Sequence, residues 1–217
     1  MKKFKLTSEF IVDISGVKLF RIKALIEFGN VKAGDLGGYI EKEENLSHMG
    51  DAWVSDDARI SGDAQVFGNA WVFGNARVSG NAQVFGDAWV SGDTQVFGDA
   101  RVFGNAWVSG NAWVSGNARV FGDAQVFGNA RVSGDAQVFG DARVSGDKDY
   151  AYAHGFGSCN RTTTFFRLKD GDVGVRCGCF YGTLAQFRDK VCETHGETKK
   201  AQEYLMLADL MEIRFKN

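Results

Sequence analysis

Between Asp51 and Gly146, apolar and variable positions alternate within a six-residue unit, Gly-[Asp/Asn]-Ala-x-Val-[Ser/Phe], which recurs sixteen times. The lapses are few: Asp56 stands for Gly, Ile60 for Val and Thr94 for Ala. Ala-x-Val-[Ser/Phe] has the period-2 pattern of a half-buried strand. Ala and Val point inward, and x and Ser/Phe point outward. Gly-[Asp/Asn] is turn chemistry, because both residue types tolerate backbone angles that others avoid. The outward positions set the number of units per coil. Trp53, Trp71, Trp89 and Trp107 recur every 18 residues, and so do Phe67, Phe85, Phe103, Phe121 and Phe139. A period of 12 scatters both sets. The pattern therefore predicts three strands per coil and a triangular prism of about five regular coils, in which each coil touches only its neighbours.

The corner residues agree with this period. Asp51, Asp57 and Asp63 are followed by Asn69, Asn75 and Asn81, then by Asp87, Asp93 and Asp99, then by Asn105, Asn111 and Asn117. At 18 residues per coil each of these Asp stacks on an Asn, at about the 4.8 Å spacing of paired strands. Two carboxylates that close would repel, so the alternation relieves a real cost. The pattern softens after Asp123, where Asn129 and Asp135 share a coil. Composition follows from the same unit. The 28 Gly and absence of Pro exclude collagen, which needs both. Each coil uses three turn glycines, and Pro is excluded from strands that all donate ladder hydrogen bonds.

The residues resemble the hexapeptide-repeat left-handed parallel β-helix family, and are especially similar to its phage- and prophage-encoded members, often labelled transferases. Val54, Val66, Val72 and Val78 stand at the family's aliphatic position, with Ala52, Ala64, Ala70 and Ala76 at the small position two residues earlier. The left hand of the coil, a trimeric assembly and a place inside a bacterial host are what this resemblance implies. The fold class expected is mainly β: a left-handed parallel β-helix with an N-terminal β cap and a small C-terminal ββαα module.

The flanks lack the repeat. In residues 1–50, Ile11 to Ile14 and Val17 to Ile26 read as a hairpin about Ser15-Gly16. Ile40 and Leu46 keep the six-residue phase, as an irregular first coil would. This segment is expected to cap the open strand edges of the solenoid at residues 51–147. Residues 148–217 form a different module, with strands at Thr162 to Leu168 and Val173 to Phe180. A helix follows, opened by the capping box of Thr183 and Gln186 and stopped near Gly196. A second helix runs from about Thr198 to Ile213, with Ala201, Leu205, Ala208 and Met211 on one face.

Candidate chemistry is sparse. Much of the resembled family transfers acyl groups with a histidine on the coils, yet no His lies between Asp51 and Tyr150. An acyltransferase using coenzyme A would have to rely on His48 or His154. The same lack of His excludes zinc held on the coil faces, as in β-helix carbonic anhydrases. A single Thr, Thr94, excludes an ice-binding array. Cys177, Cys179, Cys192 and His195 have the flavour of a metal site. The period-2 run Val173, Val175, Cys177, Cys179 reads better as a core strand face, so no metal or other cofactor is expected. Gly155 to Thr164 is Gly-rich and carries Cys159, Arg161, Thr162 and Thr163. With His154, Arg167 and Arg176 it forms the expected site for a small anion, although no Gly-Lys-[Ser/Thr] phosphate loop is present.

Net charge is −2, from 25 Lys+Arg and 27 Asp+Glu, so nucleic acid is not an expected partner. No apolar run approaches the ~20 residues of a membrane span. Glu9 and Asp13 interrupt a signal-peptide core, which with free thiols suits a reducing cytoplasm. The Trp and Phe columns remain. Stacked aromatic neighbours contribute roughly 0.2–1 kcal/mol per pair, and exposed apolar stripes usually mark interfaces. The expectation is therefore a non-enzymatic, oligomeric binding or scaffold protein. The Phe face is its first contact with other copies, and it sequesters a host factor or nucleotide-like signal. A filament-forming structural protein is the further alternative, opposed by the two dissimilar ends.

Overall fold

A computed structural model describes residues 2–157 and 161–216. Sixteen two-residue strands, β4 to β19, run from Trp53–Val54 to Arg143–Val144, each an x-Val pair of the repeat or its Ile60 variant. They form three parallel sheets, one per face of the prism, in a β-solenoid of about six coils. Partners sit 18 residues apart: Trp71 pairs with Trp89, Arg101 with Arg119 and Gln95 with Arg77.

The core is the column of Ala and Val foreseen from the alternation, with Val54, Val66, Ala70 and Val72 fully buried. Thr94 takes an Ala place there, and its hydroxyl donates to the Ser91 carbonyl at 2.6 Å. Corner glycines such as Gly86 adopt φ +72°. A Cβ on Gly86 would lie 2.9 Å from the backbone N of Gly104, so the corner needs Gly for space as well as angle. Asp56 holds the same left-handed conformation at φ 55°, tied by its carboxylate to the N–H of Gly74 at 2.9 Å.

The N-terminal segment closes one end. β1 (Phe4–Val12) and β2 (Lys18–Ala24) form the hairpin, and β3 (Leu36–Ile40) joins it to the first solenoid sheet. Ile40 pairs with Ile60 and Leu46 with Val66, the phase read from the chain. The first strand begins at Phe4 because Lys3 and Phe4 plug the end of the core. Lys3 Nζ donates to the carbonyls of Ala52 (2.7 Å) and Gly50 (3.1 Å). Burial lowers the Lys3 amine to about 8.

At the other end, β20 (Tyr150–Phe156), β21 (Arg161–Arg167), β22 (Val173–Cys177) and β23 (Phe180–Thr183) form an antiparallel sheet. This sheet has four strands where two are legible in the chain. The expected strand Val173 to Phe180 breaks at Gly178 (φ +59°), and the chain turns back as β23. α1 (Leu184–His195) starts on the Thr183–Gln186 capping box, and α2 (Lys199–Phe215) on Thr183's counterpart Thr198. One face of the sheet lies on the last coil through Phe166 and Tyr150. Phe165, Val173 and Val175 on the other face pack against both helices.

Candidate binding surfaces

Strand parity decides the fate of the expected anion site. On β21, Phe166 faces the solenoid and Phe165 the helices, so Arg161, Thr163 and Arg167 point away from Thr162 and Thr164. Arg176 faces the solenoid. Its guanidinium lies 5.6 Å from the Phe139 ring and donates to Gln137 Oε1 at 3.5 Å. Thr163 is buried and bonds Cys177 Sγ at 3.2 Å. Arg167 is consumed by the carbonyls of Gly171 (3.0 Å) and Phe215 (2.9 Å), where it fastens the end of α2. His154 is exposed, its Nδ1 2.9 Å from Thr162 Oγ1. The six expected ligands therefore do not converge. Part of that segment, Ser158, Cys159 and Asn160, lies outside the described residues.

The cysteine reading is corrected in part. Cys177 is half-buried against the helix core, as a strand-face residue should be. Cys179 lies beyond the break at Gly178 and is exposed, as is Cys192. Among the described residues no group of three or more His, Cys, Asp or Glu is arranged to hold a metal ion. His48 is stacked on Phe4 (ring centroids 4.3 Å), and its Nδ1 accepts the Lys3 N–H at 3.2 Å, as part of the end cap.

The aromatic columns form in register. Phe67, Phe85, Phe103 and Phe121 stack with centroids 4.7, 4.9 and 4.8 Å apart. Each ring covers the next, so the column is half-buried, and Tyr181 covers its end at Phe139 (4.8 Å). Trp53, expected at an interface, is instead only 3% exposed, beneath Phe28 of the cap. Trp89 and Trp107, 6.0 Å apart, are each 46% exposed and form the open part of the Trp column.

Two cavities flank the third face, which carries Arg59, Arg77, Gln95, Trp113 and Arg131 in one register. The smaller, about 330 Å³, lies under the hairpin tip at Ile14 and is lined by Arg59, Ser61, Arg77 and Ser79. The larger, about 540 Å³, lies where the solenoid meets the C-terminal module. Arg131 and Ser133 supply its solenoid side, Tyr150 and Tyr152 its strand side, and Leu210, Met211 and Arg214 its helical wall. The Arg131 guanidinium rests 5.4 Å over Trp113. Arg214 Nη2 donates to the carbonyl of Asp147 at 3.0 Å. Tyr150 accepts the Ser133 N–H at 3.3 Å, and burial pushes its phenol above the usual range, so its O–H remains a donor. Sequence reasoning missed this group because Arg131 is one of many repeat arginines. The faint signal was Tyr150-x-Tyr152, two aromatic residues on one strand face at the exit of the repeat.

The coils, sheets and end caps define a β-solenoid repeat protein. Residues 64–80, 76–92, 94–110, 112–126 and 124–138 match the model of the YdcK β-solenoid repeat. A comparison with curated proteins finds no match to this chain. Among the described residues no helix is long and apolar enough to cross a membrane.

Proposed function

We propose that this protein is a non-enzymatic binding scaffold, a rigid solenoid that associates with copies of itself and presents its C-terminal module. The observation that carries this reading is the open aromatic surface of Trp89 and Trp107, each 46% exposed on consecutive rungs of one flat face. Large paired rings in water favour burial, and Trp is prominent among residues that anchor interfaces. The half-buried Phe column on the neighbouring face extends the apolar surface around the corner. Both ends of the solenoid are covered by dissimilar modules, which favours association through the faces over end-to-end filaments. The resemblance to phage-encoded β-helices supports a partner inside a bacterial cell, a host factor held by the assembled scaffold.

Light scattering at micromolar concentration tests the association. The expected result is an oligomer that the double substitution Trp89→Glu, Trp107→Glu converts to a folded monomer. A wild-type monomer at that concentration overturns the reading.

A further inference from the structure

We infer that the junction cavity is a binding site for a phosphate-bearing small molecule with a planar ring. Two guanidiniums from distant parts of the chain, Arg131 on the last rung of the third face and Arg214 near the end of α2, line one volume of about 540 Å³. That is the size range of small-molecule sites, roughly 300–1,000 Å³. Planar guanidinium forks match the geometry of phosphate oxygens.

Among the described residues neither arginine forms a salt bridge with a carboxylate. Arg131 rests on Trp113, which holds its guanidinium in place, and among the described residues the guanidinium N–H groups make no hydrogen bond. Arg214 spends Nη2 on the carbonyls of Asp147 and Tyr150, with its other donors left over. The one carboxylate on the lining, Asp147, accepts the backbone N–H of Arg131 at 3.0 Å. Two cations against one anion leave the lining net positive on a chain whose net charge is −2.

The rest of the lining suits a ring. Tyr150 and Tyr152 are stacked, 6.5 Å apart and 20° from parallel. Tyr152 is 42% exposed, so one aromatic surface faces the cavity mouth. Leu210 and Met211 supply the apolar wall opposite. A phosphate on the arginines would set an attached planar group against these side chains. This site is independent of the Trp face and of self-association.

Calorimetric titration of the full chain with adenosine monophosphate, adenosine and inorganic phosphate is the test. The expected result is saturable binding of adenosine monophosphate, at least tenfold tighter than either fragment. Arg131→Ala should weaken it at least tenfold with the thermal midpoint unchanged. Arg214→Ala should do the same, although its bonds to Asp147 and Tyr150 can also loosen α2. Arg131→Ala therefore decides the matter, because the Trp113 ring is the one side-chain partner Arg131 has among the described residues. No saturable binding of adenosine monophosphate, or binding that Arg131→Ala leaves unchanged, overturns the inference. Binding of adenosine as tight as that of the monophosphate does so too.

Discussion

Asn69 lies one coil from Asp87 and donates its side-chain amide to that carboxylate at 2.9 Å, while its Oδ1 accepts the Asp51 N–H at 3.3 Å. The same bond recurs from Asn75 to Asp93, Asn81 to Asp99, Asn105 to Asp123 and Asn117 to Asp135. Each corner of the prism thus carries Asn–Asp hydrogen bonds that separate successive carboxylates, until Asp123 meets Asp141 in the last coil, where Lys169 pairs with Asp141. Asn69→Asp keeps the acceptor but removes the donor, and it sets a third carboxylate in line between those of Asp51 and Asp87. Stability at pH 7 should fall by about 1 kcal/mol. The repulsive part of the loss should disappear as pH falls below about 4, where carboxylates protonate. Urea denaturation at both pH values checks this.

Gly86→Ala should destabilise the solenoid by about 1–3 kcal/mol, the cost of a strained left-handed residue. The added Cβ meets backbone of the next coil, which has no side-chain freedom with which to yield. Thermal denaturation followed by circular dichroism measures the loss.

Phe103 sits between Phe85 and Phe121 in nearly parallel stacks. Phe103→Ala removes both pairs, and at about 0.5–1.5 kcal/mol each the expected loss is about 1–3 kcal/mol. Hydrogen exchange should show it in the coils on either side of residue 103, since a solenoid transmits stability only between neighbours.

The end cap carries a pH dependence of its own. Lys3 titrates near 8 when folded and at its ordinary value of 10.5 when unfolded, because burial penalises the charge. Between those values the unfolded chain binds more protons, so the cap should gain stability as pH rises from about 8 to about 10.5. Lys3→Met should abolish that rise. Hydrogen exchange of Phe4–Val12 against pH, in both proteins, checks it.

Much of this architecture was legible in the chain. Ala52, Val54 and their repeats are buried as the alternation required, and the 18-residue return of Trp and Phe predicted the observed register. The capping box at Thr183 and the phase of Ile40 and Leu46 were equally readable, since each rests on residues a few positions apart. The reading failed where parity and turns intervene. Gly178 diverted Cys179 from a strand face, and alternation along β21 sent Arg161 and Thr162 to opposite sides of one sheet. Phe28 from the cap, with no sequence tie to the repeat, covered Trp53.

The sequence by itself determined the coil, its period, its three faces and its corner columns. The strand pairings there join equivalent residues 18 apart, so one repeated unit specifies them all. Only the tertiary structure decided which aromatics stay open and where two arginines meet. Those outcomes depend on how the cap and the C-terminal module dock on the ends of the solenoid. Docking brings Arg131 and Arg214 together through shape and packing between unlike elements, which no periodicity encodes.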